Sequence, residues 1–374
     1  MALHVLAISP KTRWVFVRIE DADGRIGSGE ATLNGKESAL AAAAERLATR
    51  ALASSSAAPA NFAAAIVPVD LAEAALVSAI DQALWDLHAQ QAGVRLVDAL
   101  GGARRESIPL YANINRRTLE RTPQGFAHSA RDAWEAGFRA FKLAPFDEVD
   151  AALCADGGGA AAMQAGLARV AAVRAQIGPE CRLMVDCHWR FDEATAARLI
   201  DAAAASGVYW IECPLPEIDA HIAALVRLRG RANAHGIRLA GMEQGIGFAA
   251  FQPYCAAGAY DVMMPDVKYI GGLAEMLRAA EAFEAYGVAM SPHNPSGPIA
   301  HAVSLQVGAA MASFDALELQ FDESPLFDTL AGTDVPARVA GSSALPTGPG
   351  LGVRLDARLL ELHADCALQV WEAP

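Results

Sequence analysis

The fold is decided by one stretch of sequence, LMVDCHWRFDEATAARLIDAAAASGVYWIE, which occupies residues 183–212. It opens with an apolar run that ends on Asp186, continues through an Ala-rich segment, and closes with an apolar run that ends on Glu212. A short apolar strand, a helix and a second strand form the unit from which parallel sheets with outer helices are built. The stretch therefore predicts a βα unit in which an acid stands at the carboxyl end of each strand.

The same pattern recurs from about residue 108 to residue 340. The ionisable residues that end the apolar runs are Lys142, Asp186, Glu212, Glu243, Asp266, His293 and Glu318. From Asp186 onward they are 23 to 31 residues apart, and a βα unit needs about that many residues. In a barrel of about 250 residues, the carboxyl ends of the strands meet on one rim, which carries the active site. The sequence therefore predicts a barrel with these ionisable groups on its catalytic rim.

The region before this repeat has a different pattern. Two segments of alternating apolar and polar residues flank a turn at Gly24, and two Ala- and Leu-rich segments follow at residues 36–50 and 70–92. The alternation is typical of strands, the helical spacing is typical of helices, and Gly93 is a helix stop signal. We predict a small α+β domain in this region.

Composition and charge narrow the class of protein. The 374 residues are 53% hydrophobic and 20% charged, which is sufficient for a globular core. A formal net charge of −13 repels nucleic acid and anionic membrane surfaces. Residues 1–10 lack the regions of a signal peptide, and the uncharged residues 51–69 contain two prolines and predict a loop that joins helices. We expect a cytoplasmic protein that binds neither nucleic acid nor membrane.

Three successive strand ends carry carboxylates that are predicted to form a metal site. Asp186, Glu212 and Glu243 would point into the same space, and close carboxylates repel each other unless a cation or protons intervene. A set of oxygen ligands without Cys or His suits a hard cation, and Mg²⁺ leaves positions open for water or substrate. The sequence therefore predicts a Mg²⁺ site.

Asp266 and His293 end the next two strands and are predicted to form an acid–base pair. A carboxylate on a neighbouring strand can orient an imidazole and raise its basicity, which suits His293 to act as a general base. His188 lies two residues past Asp186 and would project to the same side, where it could donate a proton. The alternative is that His188 packs beneath Trp189.

The remaining ionisable residues of the rim have more than one possible role. Lys142 could be a second base or an electrostatic clamp. Lys268, two residues past Asp266, could be catalytic, solvated or bound in a salt bridge. Glu318 could hydrogen-bond a developing oxyanion if it is protonated.

Several motifs, taken together, resemble those of the enolase superfamily, and within it the mandelate racemase subgroup. The resemblance covers nearly the whole chain. The motifs are Gly24 to Glu30, Asp81-Gln82-Ala83-Leu84-Trp85-Asp86, Val185-Asp186-Cys187-His188-Trp189-Arg190, Trp210-Ile211-Glu212-Cys213-Pro214, Met242-Glu243-Gln244, Pro265-Asp266-Val267-Lys268-Tyr269-Ile270-Gly271-Gly272, Ser291-Pro292-His293-Asn294-Pro295-Ser296-Gly297-Pro298 and Pro349-Gly350-Leu351-Gly352-Val353.

This resemblance implies an α/β fold, a modified (β/α)7β TIM-type barrel with an N-terminal α+β capping domain. We place the capping domain at residues 1–110, the barrel at 111–340, and a C-terminal segment that returns to the cap at 341–374. The implied reaction is Mg²⁺-assisted removal of a proton next to a carboxylate to give an enediolate. A homo-oligomer is implied by the resemblance alone.

One motif departs from the pattern of the racemases and cycloisomerases. Their second strand reads Lys-x-Lys with the second lysine as base, whereas this chain has Lys142-Leu143-Ala144. The remaining pattern is similar to that of acid-sugar dehydratases such as the galactonate and mannonate enzymes, which are carbon–oxygen lyases. That resemblance implies that His293 removes the C2 proton and His188 protonates the departing C3 hydroxyl. A racemase, epimerase or cycloisomerase would need Lys142 or Lys268 as a second base, and a noncatalytic carboxylate binder is a third possibility.

The substrate is expected to be a small carboxylate, an acid sugar in the dehydratase interpretation. Asn113, Asn115, Arg116 and Arg190 are candidates for contacts with its hydroxyls or with a distal carboxylate. Ala31 to Lys36 in the cap is expected to fold over the site as a lid.

Overall fold

Two sheets organise the chain in the computed structural model, which describes residues 1–53, 59–366 and 368–372. The strands are β1 (Ala2–Ser9), β2 (Thr12–Glu20), β3 (Ile26–Glu30), β4 (Ser107–Asn113), β5 (Ala140–Leu143), β6 (Arg182–Asp186), β7 (Trp210–Glu212), β8 (Arg238–Gly241), β9 (Val262–Met263), β10 (Ala289–Met290), β11 (Leu317–Gln320), β12 (Arg338–Val339), β13 (Ser342–Ala344) and β14 (Gln369–Val370). The α-helices are α1 (Glu37–Ala53), α2 (Ala60–Ala64), α3 (Leu71–Ala92), α4 (Leu96–Ala99), α5 (Pro123–Glu135), α6 (Ala151–Ala155), α7 (Gly159–Ile177), α8 (Glu193–Ala203), α9 (Ile222–Ala234), α10 (Gly247–Ala257), α11 (Leu273–Ala285), α12 (Pro298–Ala310), α13 (Leu326–Thr329) and α14 (Ala357–Leu362).

The N-terminal region is an antiparallel sheet covered by helices, as the sequence predicts. Its strand order is β14-β1-β2-β3, so the C-terminal strand returns to this sheet and pairs with β1. Asp70 caps the N-terminus of α3 by accepting from the backbone N–H of Glu73, and Gly93 ends this helix in the left-handed conformation. A Cβ at Gly29 would lie 1.8 Å from the carbonyl oxygen of Ala79, so glycine allows α3 to pack directly on β3.

The prediction of a loop at residues 51–69 is wrong for part of that stretch. α1 continues to Ala53, and α2 occupies Ala60–Ala64. Both segments are rich in alanine, whose high helix propensity outweighs the proline signal that predicts a loop. Residues 54–58 lie outside the described residues.

The second sheet is a ring of parallel strands with helices between them. Neighbouring strands follow the order β10-β9-β8-β7-β6-β5-β4, and β11 pairs in parallel with the other edge of β4. The backbone N–H of Asp315 donates to the carbonyl of Met290 at 2.8 Å and joins the two ends of the row. Seven helical connections separate eight parallel strands, which is the predicted (β/α)7β barrel.

Apolar side chains fill the inside of this barrel beneath the rim. Tyr111 and Trp210 lie there with their rings 5.6 Å apart, edge to face, together with smaller buried residues from the neighbouring strands. The inner side chains therefore make a solid floor under the strand ends, and any site must lie above it.

Hydrogen-bonded pairing shows how the predicted domain boundaries relate to the strands. β4, the first barrel strand, begins at Ser107, so the boundary at residue 110 falls inside it. The boundary at residue 340 falls between β12 and β13, and β13 pairs with β4. Within the described part of the chain, no helix is both long enough and apolar enough to cross a membrane.

Candidate active site

The three strand-end carboxylates meet on the rim of the barrel. Asp186 and Glu212 are direct partners in the register of β6 and β7, and Glu243 lies two residues past the end of β8. All three are buried, and one oxygen from each lies within 4.8 Å of the others. Parallel pairing places the first two side chains on the same face of the sheet. The structure therefore brings together the three residues that the sequence predicts as a set.

The electrostatics of this cluster fit a bound cation. Burial raises the pKa of Glu212 to about 8 and also raises the pKa of Glu243, so three charges do not coexist here without compensation. Oε2 of Glu243 is buried and accepts no hydrogen bond from the described residues, although Nε2 of His293 lies 3.4 Å away. An orphaned carboxylate oxygen facing two other carboxylates matches the oxygen donor set that Mg²⁺ prefers.

A second buried group joins Asp266, His293 and Lys268. Nδ1 of His293 lies 2.8 Å from Oδ2 of Asp266, and Nζ of Lys268 donates to the same oxygen at 2.5 Å. Burial alone would raise the pKa of Asp266, but the charge of Lys268 and the hydrogen bond from His293 lower it below its usual value. Asp266 is therefore held as a carboxylate, and it leaves Nε2 of His293 as the ring nitrogen that can exchange a proton.

Lys268 is neither solvated nor free. Its side chain is buried, and its ammonium group donates to Ser296 at 2.5 Å as well as to Asp266. The sequence leaves three roles open for Lys268: catalytic, solvated or bound in a salt bridge. The contact with Asp266 matches the salt bridge.

Lys142 is held inside the carboxylate cluster. Nζ lies 2.6 Å from Glu212 and 3.0 Å from Glu318, and the whole side chain is buried. Burial alone would lower the pKa of Lys142, but the two carboxylates raise it well above its usual value. A permanently charged amine suits an electrostatic clamp better than a base.

Glu318 is bound on both of its oxygens. Oε1 accepts from the side chain of Asn113 at 2.6 Å, and Oε2 accepts from the backbone N–H of Asn294 at 3.0 Å. Burial would raise its pKa, but the charge of Lys142 lowers the pKa of Glu318 to about 2. These contacts favour the carboxylate over the protonated form that an oxyanion donor would need.

His188 lies at the open edge of the site. Its side chain is 41% exposed, so it is not packed beneath Trp189, and Nε2 lies 2.9 Å from Oδ2 of Asp186. The charge of Asp186 raises the pKa of His188 to about 9. A histidine in this state carries a proton that it can donate.

A cavity of about 270 Å³ connects these groups. His188, His293 and Lys142 line it together with Asp186, Glu243 and Glu318. Thr32, Leu33 and Asn34 of the cap line its other side, so the segment predicted as a lid lies over the site.

Polar side chains of the cap bind the barrel loops next to the site. Glu30, at the end of β3, accepts from the backbone N–H groups of Gly297 and Ala300 at 2.7 and 2.9 Å, at the start of α12. Gln82 of α3 donates to the carbonyl of Val267 at 3.0 Å. These contacts fix the cap over the loops that carry the acid–base pair.

The candidate substrate-binding residues divide into two groups. Asn113, Asn115 and Arg116 line the cavity. Arg190 does not, because its guanidinium group donates to the backbone carbonyls of residues 146, 147 and 149. In this structure Arg190 braces a neighbouring loop, and its contact with substrate stays a prediction.

Sequence reasoning missed Pro295 and two polar residues that line the cavity. Tyr269 follows Asp266 by three residues and donates from its hydroxyl to the carbonyl of Thr32 at 2.9 Å, but the sequence around it resembles a turn. Gln320 lies two residues past Glu318 on β11, and the two-residue period of a strand could have identified it.

Buried carboxylates that fit a metal ion, together with two histidines on a capped barrel rim, are typical of metal-assisted acid–base enzymes on barrels. The enolase C-terminal domain-like family model matches residues 125–359, and the N-terminal domain model of the mandelate racemase / muconate lactonizing enzyme family matches residues 3–101. The chain therefore belongs to the mandelate racemase / muconate lactonizing enzyme family of the enolase superfamily, and the resemblance is confirmed.

Curated relatives and solved structures agree with this assignment. The chain is 30% identical to D-gluconate dehydratase of Thermoproteus tenax over 365 residues, which cover 94% of this chain and 70% of that protein. It is also 30% identical to D-galactonate dehydratase of Verminephrobacter eiseniae over 372 residues, 95% of this chain and 92% of that protein. The crystal structure of a mandelate racemase/muconate lactonizing enzyme from Jannaschia sp. CCS1 superposes with a TM-score of 0.84 at 22% identity, covers 98% of this chain and 97% of that one, and shows the fold alone.

Proposed function

We propose that this enzyme removes water from an acid sugar and forms a 2-keto-3-deoxy acid. The observation that carries the proposal is the placement of two histidines on one cavity, one paired with Asp266 and the other with Asp186. The dehydratase names of the relatives that align over most of the chain support the same reaction.

Asp186, Glu212 and Glu243 would hold the metal ion, and Lys142 would balance part of their charge. Mg²⁺ bound there would stabilise the negative charge that grows on the substrate carboxylate when the neighbouring proton leaves. The other contacts of the cavity residues can be explained without a further role for the ion.

His293 is the proposed base. Asp266 accepts from Nδ1, so Nε2, which lies 3.4 Å from Oε2 of Glu243, is the ring nitrogen that would take the C2 proton. Lys268 holds the same oxygen of the Asp266 carboxylate with a second hydrogen bond. The pair is therefore oriented before the substrate binds.

His188 is the proposed acid. It would donate the proton on Nε2 to the C3 hydroxyl as the C3–O bond breaks, so that water leaves. The remaining enol loses the proton of its C2 hydroxyl and takes up one proton from solvent at C3, and so becomes the 2-keto-3-deoxy acid. Atoms balance because the substrate loses one proton from C2 and one hydroxide from C3.

The contacts of the two lysines count against a racemase, epimerase or cycloisomerase. Such enzymes would need Lys142 or Lys268 to exchange a proton with the substrate, and both ammonium groups are bound to buried carboxylates. The complete set of acid and base groups likewise counts against a noncatalytic carboxylate binder. A cytoplasmic location and a homo-oligomeric state remain predictions.

Proton NMR in D₂O tests the proposed reaction. The Mg²⁺-loaded protein is mixed with a panel of mono- and diacid sugars, and a parallel sample contains EDTA. We expect the C2 signal of one substrate to disappear while a 3-deoxy-2-keto product that carries one deuterium at C3 grows, and we expect EDTA to stop both changes. Exchange at C2 without elimination would instead show an epimerase or racemase.

A further inference from the structure

Four non-glycine residues with left-handed backbone lie beside the three carboxylates of the proposed metal site. They are His188 with φ of 47°, Trp189 with φ of 58°, Cys213 with φ of 46° and Met242 with φ of 72°. Cys213 directly follows Glu212, and Met242 directly precedes Glu243. This conformation is unfavourable for residues with a Cβ and persists only where surrounding contacts hold it.

Glu217 lies against three of these residues, Trp189, Cys213 and Met242, from the loop between β7 and α9. Its Oε1 accepts from the backbone N–H of Met242 at 2.5 Å, and Sγ of Cys213 lies 3.7 Å from the same oxygen. Trp189 and Glu217 line the same groove. One carboxylate outside the metal triad therefore connects the three loops on which the triad depends.

Two neighbouring features hold Glu217 in this position. The hydroxyl of Tyr260 donates to Oε1 of Glu217 at 2.9 Å. A Cβ at Gly241 would lie 2.4 Å from the same oxygen, so glycine leaves the space that the carboxylate occupies. The backbone N–H of Trp189 donates to the carbonyl of Cys213 at 2.7 Å and ties two of the loops to each other.

We propose that Glu217 is a positioning residue for the metal site: by holding the backbone beside Asp186, Glu212 and Glu243, it keeps the three carboxylates converged. The inference rests on the proposed Mg²⁺ triad. Partners of this kind, which orient metal ligands without touching the ion, commonly affect metal affinity strongly.

Calorimetric titration of Mg²⁺ into the wild type, Glu217→Asp and Glu217→Gln tests the proposal. Aspartate keeps the charge but withdraws the carboxylate from Met242, and we expect Mg²⁺ to bind about 10- to 100-fold more weakly. Glutamine keeps an acceptor oxygen at the same reach, and we expect an affinity close to that of the wild type. A purely stabilising role would lower the melting temperature of the metal-free protein without changing the Mg²⁺ affinity.

Glu275→Asp is the matched control. Glu275 also accepts from a backbone N–H, that of Phe248 at 2.6 Å, but it lies on α11 and its other hydrogen-bond partner is Arg278, not Trp189, Cys213 or Met242. We expect its shortening to leave the Mg²⁺ affinity unchanged. Tyr260→Phe is a milder second variant, which removes one bond to Glu217 and is expected to weaken Mg²⁺ binding even if Glu217→Asp does not fold.

Two results would overturn the proposal. The first is a wild-type Mg²⁺ affinity in Glu217→Asp, or in Tyr260→Phe if Glu217→Asp does not fold. The second is an equal loss of Mg²⁺ affinity in Glu217→Asp and Glu217→Gln. The failure of the proposed metal site has a different signature, because the wild type itself would then bind no Mg²⁺.

Discussion

Nζ of Lys142 lies 2.6 Å from Oε1 of Glu212, and both side chains are fully buried. The lysine thus supplies a fixed positive charge inside the proposed metal site, where it offsets the repulsion among the acids. Its second carboxylate partner, Glu318, lies on β11, on the far side of β4 and β5 from β7. One amine therefore links strands from different parts of the ring.

Replacing Lys142 with methionine is expected to destabilise the protein strongly. The substitution leaves Glu212 and Glu318 buried without their cation, and breaking a buried ion pair from one side costs about 3–5 kcal/mol. Urea unfolding of the metal-free wild type and of Lys142→Met measures the loss in free energy of unfolding.

Arg227→Ala is the comparison for the Lys142 prediction. It breaks an ion pair with Glu193 in which the side chains are 62% and 41% exposed, and solvent screening limits the expected loss to about 1 kcal/mol or less. Equal losses of unfolding free energy in Lys142→Met and Arg227→Ala would show that burial does not increase the contribution of Lys142 to stability.

Separate substitution of the two histidines is expected to divide the reaction into its steps. His188→Ala should abolish dehydration but retain exchange of the C2 proton with D₂O, because His293 is intact. His293→Asn should lose both, with a rate at least about 10²-fold lower. NMR in D₂O follows exchange and elimination in the same sample. Dehydration at the wild-type rate in His188→Ala would rule out the assignment of the acid.

Removal of the Tyr269 hydroxyl is expected to weaken substrate binding. This hydroxyl holds the carbonyl of Thr32, and Thr32 belongs to the cap segment that lines the cavity. Loss of one hydrogen bond of about 0.5–1.5 kcal/mol corresponds to a KM about 2- to 10-fold higher in Tyr269→Phe, with kcat little changed. Tyr286→Phe, at an exposed position on the end of α11, is the control. An unchanged KM in Tyr269→Phe would show that this bond does not hold the lid.

Buried His301 is expected to make the fold sensitive to acid. Burial lowers the pKa of His301 to about 3, whereas the unfolded chain takes up the proton near pH 6.5. The unfolded state therefore binds more protons as the pH falls below about 6.5, and stability is lost from there down to about pH 3. At pH 5 the loss is about 2 kcal/mol, an upper value for a fully rigid site.

Melting curves of the wild type and His301→Asn between pH 8 and pH 4.5 measure this effect. Asparagine keeps an acceptor for the side chain of Asn294, which lies 3.3 Å from Nδ1 of His301. We expect the acid side of the stability profile to be flatter in the variant. At pH 8 the histidine is neutral in both states, so the difference measured there is the internal reference. Parallel profiles over the whole range would contradict the prediction.

Much of the site was accessible from sequence because the strand pattern is local. Parallel strands present their carboxyl ends on one edge, so Asp186, Glu212 and Glu243 could be grouped from their position after apolar runs alone. The same reasoning paired Asp266 with His293. It cannot specify the direction of a long flexible side chain, and the structure shows the guanidinium group of Arg190, a candidate for substrate contact, bound to three loop carbonyls.

The sequence by itself determined the barrel, the α+β cap and the residues at the strand ends, because periodicity and spacing are properties of neighbouring residues. Only the tertiary structure decided which polar groups bind each other, because these pairs are far apart in the chain. Lys142 forms an ion pair with Glu318, and Glu30 accepts a hydrogen bond from the start of α12. The role that we propose for Glu217 depends on the tertiary structure in the same way. Three backbone segments converge on this one carboxylate only after the strands have closed into a ring.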